Sequence, residues 1–172
     1  DNAHTMGVKL THSDISIFSF HPVKHITTGE GGAIVTNDKT IYDKLKMLRN
    51  HGQDDKHNMI SLGFNYRISD INCMLGLTQI KKLDKFITKR QQIAKKYNDV
   101  FDDTIITPLY PFTVNSYYHL FVVQVDFSKL NITKEILLSK MRDKQIGLQI
   151  HYKPINKQPY YKSLGYGDEH TP

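Results

Sequence analysis

The 172-residue chain has little of what marks a secreted or membrane-embedded protein. Its single cysteine, Cys73, stands inside a helical pattern with no partner cysteine anywhere in the chain, which points to a reducing, cytoplasmic setting. No apolar run approaches the roughly 20 residues of a bilayer-spanning helix, so no membrane partner is expected. The chain opens on Asp1 without an initiator Met, a charged and apolar leader or a cleavage signal, and it reads as a fragment. It has no internal repeat and no low-complexity tract. His21, His25, His51, His57 and His119 show neither HExxH nor cysteine-paired spacing, so no metal site is expected.

What is present is the composition of a folded protein, with Ile, Leu, Tyr and Phe spread along the whole length. The formal net charge is +6. The excess is distributed through Lys81, Lys82, Lys85, Lys89, Lys95 and Lys96 instead of forming a block, as on a solvated helix face. Such a balance suits an anionic substrate better than nucleic acid, which is not expected as a partner.

Apolar periodicity divides the chain. Residues 14–20, DISIFSF, alternate and close on Pro22, predicting a strand that runs into a constrained loop. Residues 33–37, AIVTN, lie between Gly31-Gly32 and Asn37-Asp38 and predict a second strand beside the first. IYDKLKMLRNHG places Ile41, Leu45 and Leu48 at helical spacing, with Gly52 as the expected residue just past the helix end. Ser69 and Asp70 then offer an N-cap to one long helix running to about Tyr97, whose apolar face includes Ile71, Met74, Leu75, Leu83 and Ile87. After Phe101, Pro108 and Pro111 break helicity. YYHLFVVQVDF then reads as a strand, EILLSKMRDKQ as a helix and GLQIHY as a strand. The resulting division is 1–70, a long connecting helix over 71–100, and a separate small α/β domain over 101–172.

The densest chemistry lies in FSFHPVKHITTGEGG, residues 18–32. It sets Lys24 just past a hydrophobic strand, between two histidines, ahead of a glycine-rich loop. The bland reading is a lysine that reaches out of a turn to solvent. The chemical one is an amine whose partial burial and cationic neighbours lower its pKa. A neutral amine attacks a carbonyl and forms a Schiff base, which makes Lys24 a candidate nucleophile.

This segment resembles the cofactor-lysine motif of the DegT/DnrJ/StrS family of sugar aminotransferases. The likeness continues through DNAHTMG, SLGFNYRISDINCMLGL and LQIHYKPINKQPYYKSLGY, covering nearly the whole chain. It implies an α/β fold, that of fold-type I pyridoxal-phosphate-dependent aminotransferases, in a homodimer with shared active sites. It also implies site residues. Lys24 would carry the cofactor, Ser19, five residues earlier, would bind its phosphate, Asp1 would pair with the pyridine nitrogen, and His4 would lie against the ring. An aspartate there keeps the ring protonated and able to accept electrons. Asn65 would reach the phosphate in the neighbouring subunit, and His151, Tyr152, Lys153 and Pro154 would contact a nucleotide sugar. Each has a plainer reading as a loop, turn or edge-strand residue. Arg67 stays open between pairing with an anion and fixing the start of the long helix. The chain departs from the family pattern at Asn156, where many relatives carry His, and in the tight spacing between Asp1 and Lys24.

The implied activity is transfer of an amino group from an amino acid, usually glutamate, to a nucleotide-linked 4-keto-6-deoxy sugar. FSFHPVKHITTGEGGAIVTND and HYKPINKQPYY are most similar to members serving pseudaminic acid synthesis, which act on a UDP-linked N-acetylhexosamine. As a fragment, the chain is expected to be inactive alone. Two other readings carry less. A dehydratase relative would have histidine at the lysine position, and a non-catalytic binding or regulatory protein would need no such combination of Asp1, Ser19, Lys24 and Asn65.

Overall fold

The computed structural model describes residues 6, 13–101 and 104–167. Two compact units divide between Gln124 and Val125. The first therefore runs past Phe101, where the texture of the sequence changes, and takes in residues 104–124.

The first unit opens with β1 (Ile15–Ser19) and β2 (Gly32–Thr36), which pair antiparallel in the register Ile15↔Thr36 through Ser19↔Gly32. Both predicted strands are present and adjacent. β2 leads into α1 (Lys39–Leu48), capped by Asp38, whose Oδ1 accepts the N–H groups of Thr40 at 2.7 Å and Ile41 at 3.0 Å. These are two of the donors that a helix start leaves without an internal partner. The helix ends at Leu48 with Arg49 as its C-cap, not at Gly52. Gly52 instead has φ +69°, and its N–H returns to the Met47 carbonyl at 3.0 Å. A β-carbon on Gly63 would stand 1.9 Å from the Gly52 nitrogen, so these two glycines let the chain from 50 to 65 fold back on itself.

The predicted long helix is two helices, α2 (Asp70–Ile80) and α3 (Leu83–Val100). The Ser69 hydroxyl caps α2 as expected, accepting the Asn72 N–H at 3.3 Å. At the break Lys82 has φ −105° and ψ 0°, and its N–H bonds three residues back, to the Gln79 carbonyl at 2.9 Å. A turn of this tighter kind redirects the axis without glycine or proline. Ile80 and Leu83 keep helical spacing across it, so the apolar pattern runs on where the backbone does not.

β3 (Ile106–Pro108) and β4 (Val123–Val125) form a second two-stranded sheet, so only a short part of YYHLFVVQVDF is strand. In the second unit α4 (Phe127–Leu130) is capped by Asp126 and α5 (Lys134–Asp143) by Thr133. α5 carries Glu135 in its first turn and Lys140 and Arg142 in its last, each sign matched to the helix dipole. GLQIHY, expected as a strand, has no ladder partner among the described residues and is irregular. A 3₁₀ turn (Ile155–Lys157) and α6 (Pro159–Ser163) follow, with Pro159 at the first helical position, where a missing N–H costs nothing.

Among the described residues the buried apolar side chains are Ile26, Ile87 and Ala94. No residue of α2 is buried, and Ile71 is 84 % exposed. An apolar trough of about 910 Å³ runs between the β1–β2 sheet, α1 and α2, lined by Ile17, Ile34, Leu45, Phe64 and Leu77 among others. Helices apolar on every side and two-stranded sheets are stable when other chain covers them. Residues 1–172 expressed alone are therefore expected to bind a hydrophobic dye strongly and to melt over a broad range. A sharp calorimetric transition without dye binding would contradict this.

Candidate active site around Lys24

The site is built where β1 ends. Ser19 makes the last pair of the β1–β2 ladder, and the Phe20 N–H then donates to the Gly31 carbonyl at 2.9 Å. The Phe20 carbonyl accepts twice, from the Thr28 N–H at 3.1 Å and the Thr27 hydroxyl at 3.0 Å. Residues 21–27 are thereby closed into a loop on one backbone residue. Within it the Lys24 N–H donates to the His21 carbonyl at 2.9 Å. His21-Pro22-Val23-Lys24 is thus a β-turn with proline at its second position, where the ring's fixed φ is already correct. The HPVK motif is a device that presents Lys24 at a set place.

Three further contacts fix the loop. Asn72 of α2 donates through Nδ2 to the Thr28 carbonyl at 2.5 Å and to the Glu30 carbonyl at 3.4 Å. Gly76, one turn further along α2, lies so close that a β-carbon would come within 2.9 Å of Thr28 Cγ2. Gly31 has φ +150°, and its β-carbon would meet Thr28 Oγ1 at 2.6 Å. A side chain there meets both strain and collision.

Lys24 is half-buried, and desolvation holds its pKa below the ordinary lysine value. Its Nζ lies 3.5 Å from His119 Nε2. The neighbouring His25 is buried, with Nε2 3.0 Å from the Tyr117 carbonyl and its ring 5.9 Å from that of His119. Ser19 Oγ accepts the His21 N–H at 3.4 Å, a long contact on the exposed side of the turn. A hydroxyl at the end of β1 and a half-buried amine of lowered basicity on the turn that follows are a donor set that suits an aldehyde bearing a phosphate.

The other expected residues fall elsewhere. Asp1 and His4 lie outside the described residues. Asn65 is exposed and forms a bridge with Asn50, flanked by hydrogen bonds from the Phe64 N–H to the Leu48 carbonyl at 2.7 Å and from the Tyr66 N–H to the Arg49 carbonyl at 3.0 Å. Arg67 donates through Nη1 to Asn50 Oδ1, tying it to the end of α1 while it stays exposed. His151, Tyr152, Lys153 and Pro154 belong to the second unit and are all exposed. The His151 and Tyr152 rings lie 4.1 Å apart, and Pro154 caps the 3₁₀ turn that holds the half-buried Asn156.

His119, Tyr117 and Asn72 are not among the residues that motif spacing singles out. His119 follows Lys24 by 95 positions. Its signal is an imidazole set in the otherwise apolar and aromatic run YYHLFVV, an oddity that marks a position without naming its partner.

The family model for the DegT/DnrJ/EryC1/StrS aminotransferase family matches residues 1–172. A UDP-4-amino-4,6-dideoxy-N-acetyl-beta-L-altrosamine transaminase of Campylobacter jejuni is 40 % identical, over 95 % of this chain and 46 % of its own. The transaminase of the same name from Helicobacter pylori is 35 % identical, over 95 % and 47 %. The chain thus spans about half the length of the curated relatives it matches. Among solved structures, Helicobacter pylori PseC, an aminotransferase involved in the biosynthesis of pseudoaminic acid, superposes with a TM-score of 0.84 at 35 % identity, over 94 % of this chain and 46 % of that one. The PLP form of the sugar aminotransferase Spr1654 from Streptococcus pneumoniae gives 0.82 at 28 % identity, over 96 % and 46 %.

Two substitutions probe the site in the whole protein. Asn72→Ala removes the donor to two loop carbonyls and is expected to cost about 1–2 kcal/mol in urea denaturation. Lys24→Met removes an amine that folding desolvates. The unfolded chain binds that proton more readily, so the penalty is present in full below the folded pKa and is relieved as pH rises toward the ordinary lysine value. The variant should therefore melt higher than the parent without cofactor at pH 7, with the gain shrinking at higher pH; a lower melting point at pH 7 would contradict the desolvation.

Proposed function

The chain belongs to the DegT/DnrJ/EryC1/StrS aminotransferase family, and on that premise we propose that the whole protein is a pyridoxal-phosphate-dependent transaminase of a UDP-linked 4-keto-6-deoxy-N-acetylhexosamine. The amino donor is an amino acid, glutamate by the family resemblance, and the product serves pseudaminic acid or another surface glycan. The names of the Campylobacter and Helicobacter relatives support the sugar. The PLP form of the Streptococcus structure supports the cofactor. The observation that carries the reading is Lys24 itself, half-buried on a closed turn with its basicity lowered by desolvation.

When bound, pyridoxal phosphate supplies an aldehyde carbon and a ring that takes up the electron pair released at the substrate carbon. Lys24 would be the anchor, because an amine of lowered pKa is more often neutral and so able to attack a carbonyl. The same Nζ would serve as the base and acid that moves a proton at the reacting carbon. Ser19 would donate its hydroxyl to the phosphate. Asp1 would hold the ring nitrogen protonated, with His4 against the ring.

Asn65, exposed at the neck of a glycine-closed loop where it bridges Asn50, is available to a second subunit, as the homodimer with shared sites requires. His151, Tyr152, Lys153 and Pro154 would contact the nucleotide sugar, the lysine offering a positive charge to its diphosphate. Residues 1–70 belong in this reading to the cofactor-binding domain and 101–172 to the small domain. About half of a relative's length lies outside the match, so residues 1–172 alone are expected to be inactive.

Absorbance of the whole protein mixed with pyridoxal phosphate tests the reading. A visible band is expected, and borohydride should trap an adduct that maps to Lys24 and is missing from Lys24→Ala. A parent protein that gives neither band nor adduct would return the non-catalytic binding protein to first place.

A further inference from the structure

Residues 113–119 form a strap that crosses the lysine loop, and it is held by its main chain from two sides. Arg90 of α3 donates through Nη1 to the carbonyls of Tyr118 at 3.2 Å and His119 at 3.3 Å. Gln91, the next residue, donates through Nε2 to the carbonyls of Val114 at 2.6 Å and Ser116 at 3.2 Å. From the lysine loop, His25 Nε2 meets the Tyr117 carbonyl at 3.0 Å. The strap also ties itself, through the Tyr118 hydroxyl, which accepts the Thr113 N–H at 2.7 Å and donates to its carbonyl at 3.0 Å. Tyr118 has φ +46°, a left-handed turn that a tyrosine adopts only where its surroundings enforce it. A residue so placed is fixed in space by the helix on one side and the lysine loop on the other. The side chain that this scaffold carries to Lys24 is His119.

We propose that His119 is a positioning residue for Lys24, its Nε2 taking one N–H of the lysine amine and so fixing the direction of that amine's remaining bonds. The proposal rests on the reading of Lys24 as the cofactor-bearing lysine. The 3.5 Å separation is at the long end of hydrogen bonding, as is common in catalytic pairs that tighten when loaded. With the imidazole proton on Nδ1, Nε2 is a neutral acceptor for either the amine or the ammonium. Two opposed influences then meet on Lys24: desolvation favours the neutral amine, and the acceptor favours the charged one. The amine is thereby held in a set direction without being left fully charged or fully unpartnered. Among the described residues, the other titratable or charged groups shown against the pair include His25 on the lysine loop, Tyr117 on the strap and Arg90 on α3.

The experiment is competitive acetylation of the whole, cofactor-free protein across pH, with Lys24 and the exposed Lys95 of α3 quantified in each sample by mass spectrometry. Acetic anhydride reacts with the neutral amine, so the ratio of the two follows the state of Lys24. In His119→Phe the acceptor is gone, and Lys24 is expected to acetylate about tenfold faster at pH 8 relative to Lys95. His119→Gln, whose amide oxygen accepts, should return most of the way to the parent value. His119→Leu, a second substitution that removes the acceptor, should show the same gain and keeps the comparison open if His119→Phe fails to fold. A Lys24 profile unchanged in both apolar variants overturns the proposal. Borohydride trapping with pyridoxal phosphate is scored separately. A parent that forms no adduct removes the proposed function while the acetylation profile still decides the pairing.

Discussion

The carbonyl of Phe20 accepts two hydrogen bonds, from the Thr28 N–H and the Thr27 hydroxyl, and the geometry around Lys24 depends on that closure. A loop between two strands is ordinarily the most mobile part of a hairpin. Here the ends of residues 21–27 are pinned to one residue, and the Pro22 turn leaves the interior few conformations. The entropic cost of holding the Lys24 amine in place has thus been met by the main chain, which is the condition for a preorganised site. The same closure explains the glycines that follow. Gly31 and Gly32 let β2 return against Phe18 and Thr28 at distances that a β-carbon would obstruct.

What the sequence disclosed and what it did not divide by the range of the forces involved. β1, β2 and the cap Ser69 are local: alternation, flanking glycines and an oxygen ahead of a helix all act within a few residues, and each was legible. The lysine turn was legible because proline writes its own dihedral into the motif. The break at Lys82 was hidden because the apolar spacing is continuous through it and no residue type marks a tightened turn. GLQIHY has the composition of a strand, but a strand exists only where a neighbour supplies a ladder, and that is not written in six residues. The contact of Lys24 with His119 spans 95 positions and is a property of the packed chain alone.

The apolar surface of the first unit follows from the same logic at larger scale. α2 contributes its N-terminal turn to the lysine loop through Asn72, yet none of its side chains is buried, and the trough beside it is lined by the faces of β1, β2 and α1. The hydrogen bonds that hold the lysine loop lie within this unit, whereas the apolar faces beside it are left open, in keeping with a chain that matches about half of each relative.

The division of labour along α3 has a practical meaning for anyone redesigning the protein. Arg90 and Gln91 face the strap and hold its carbonyls, while Lys85, Lys89, Lys95 and Lys96 are exposed. The helix thus holds the strap with one side and carries charge on the other. Acidic residues placed at those exposed lysines would lower the isoelectric point without removing any hydrogen bond that holds the strap.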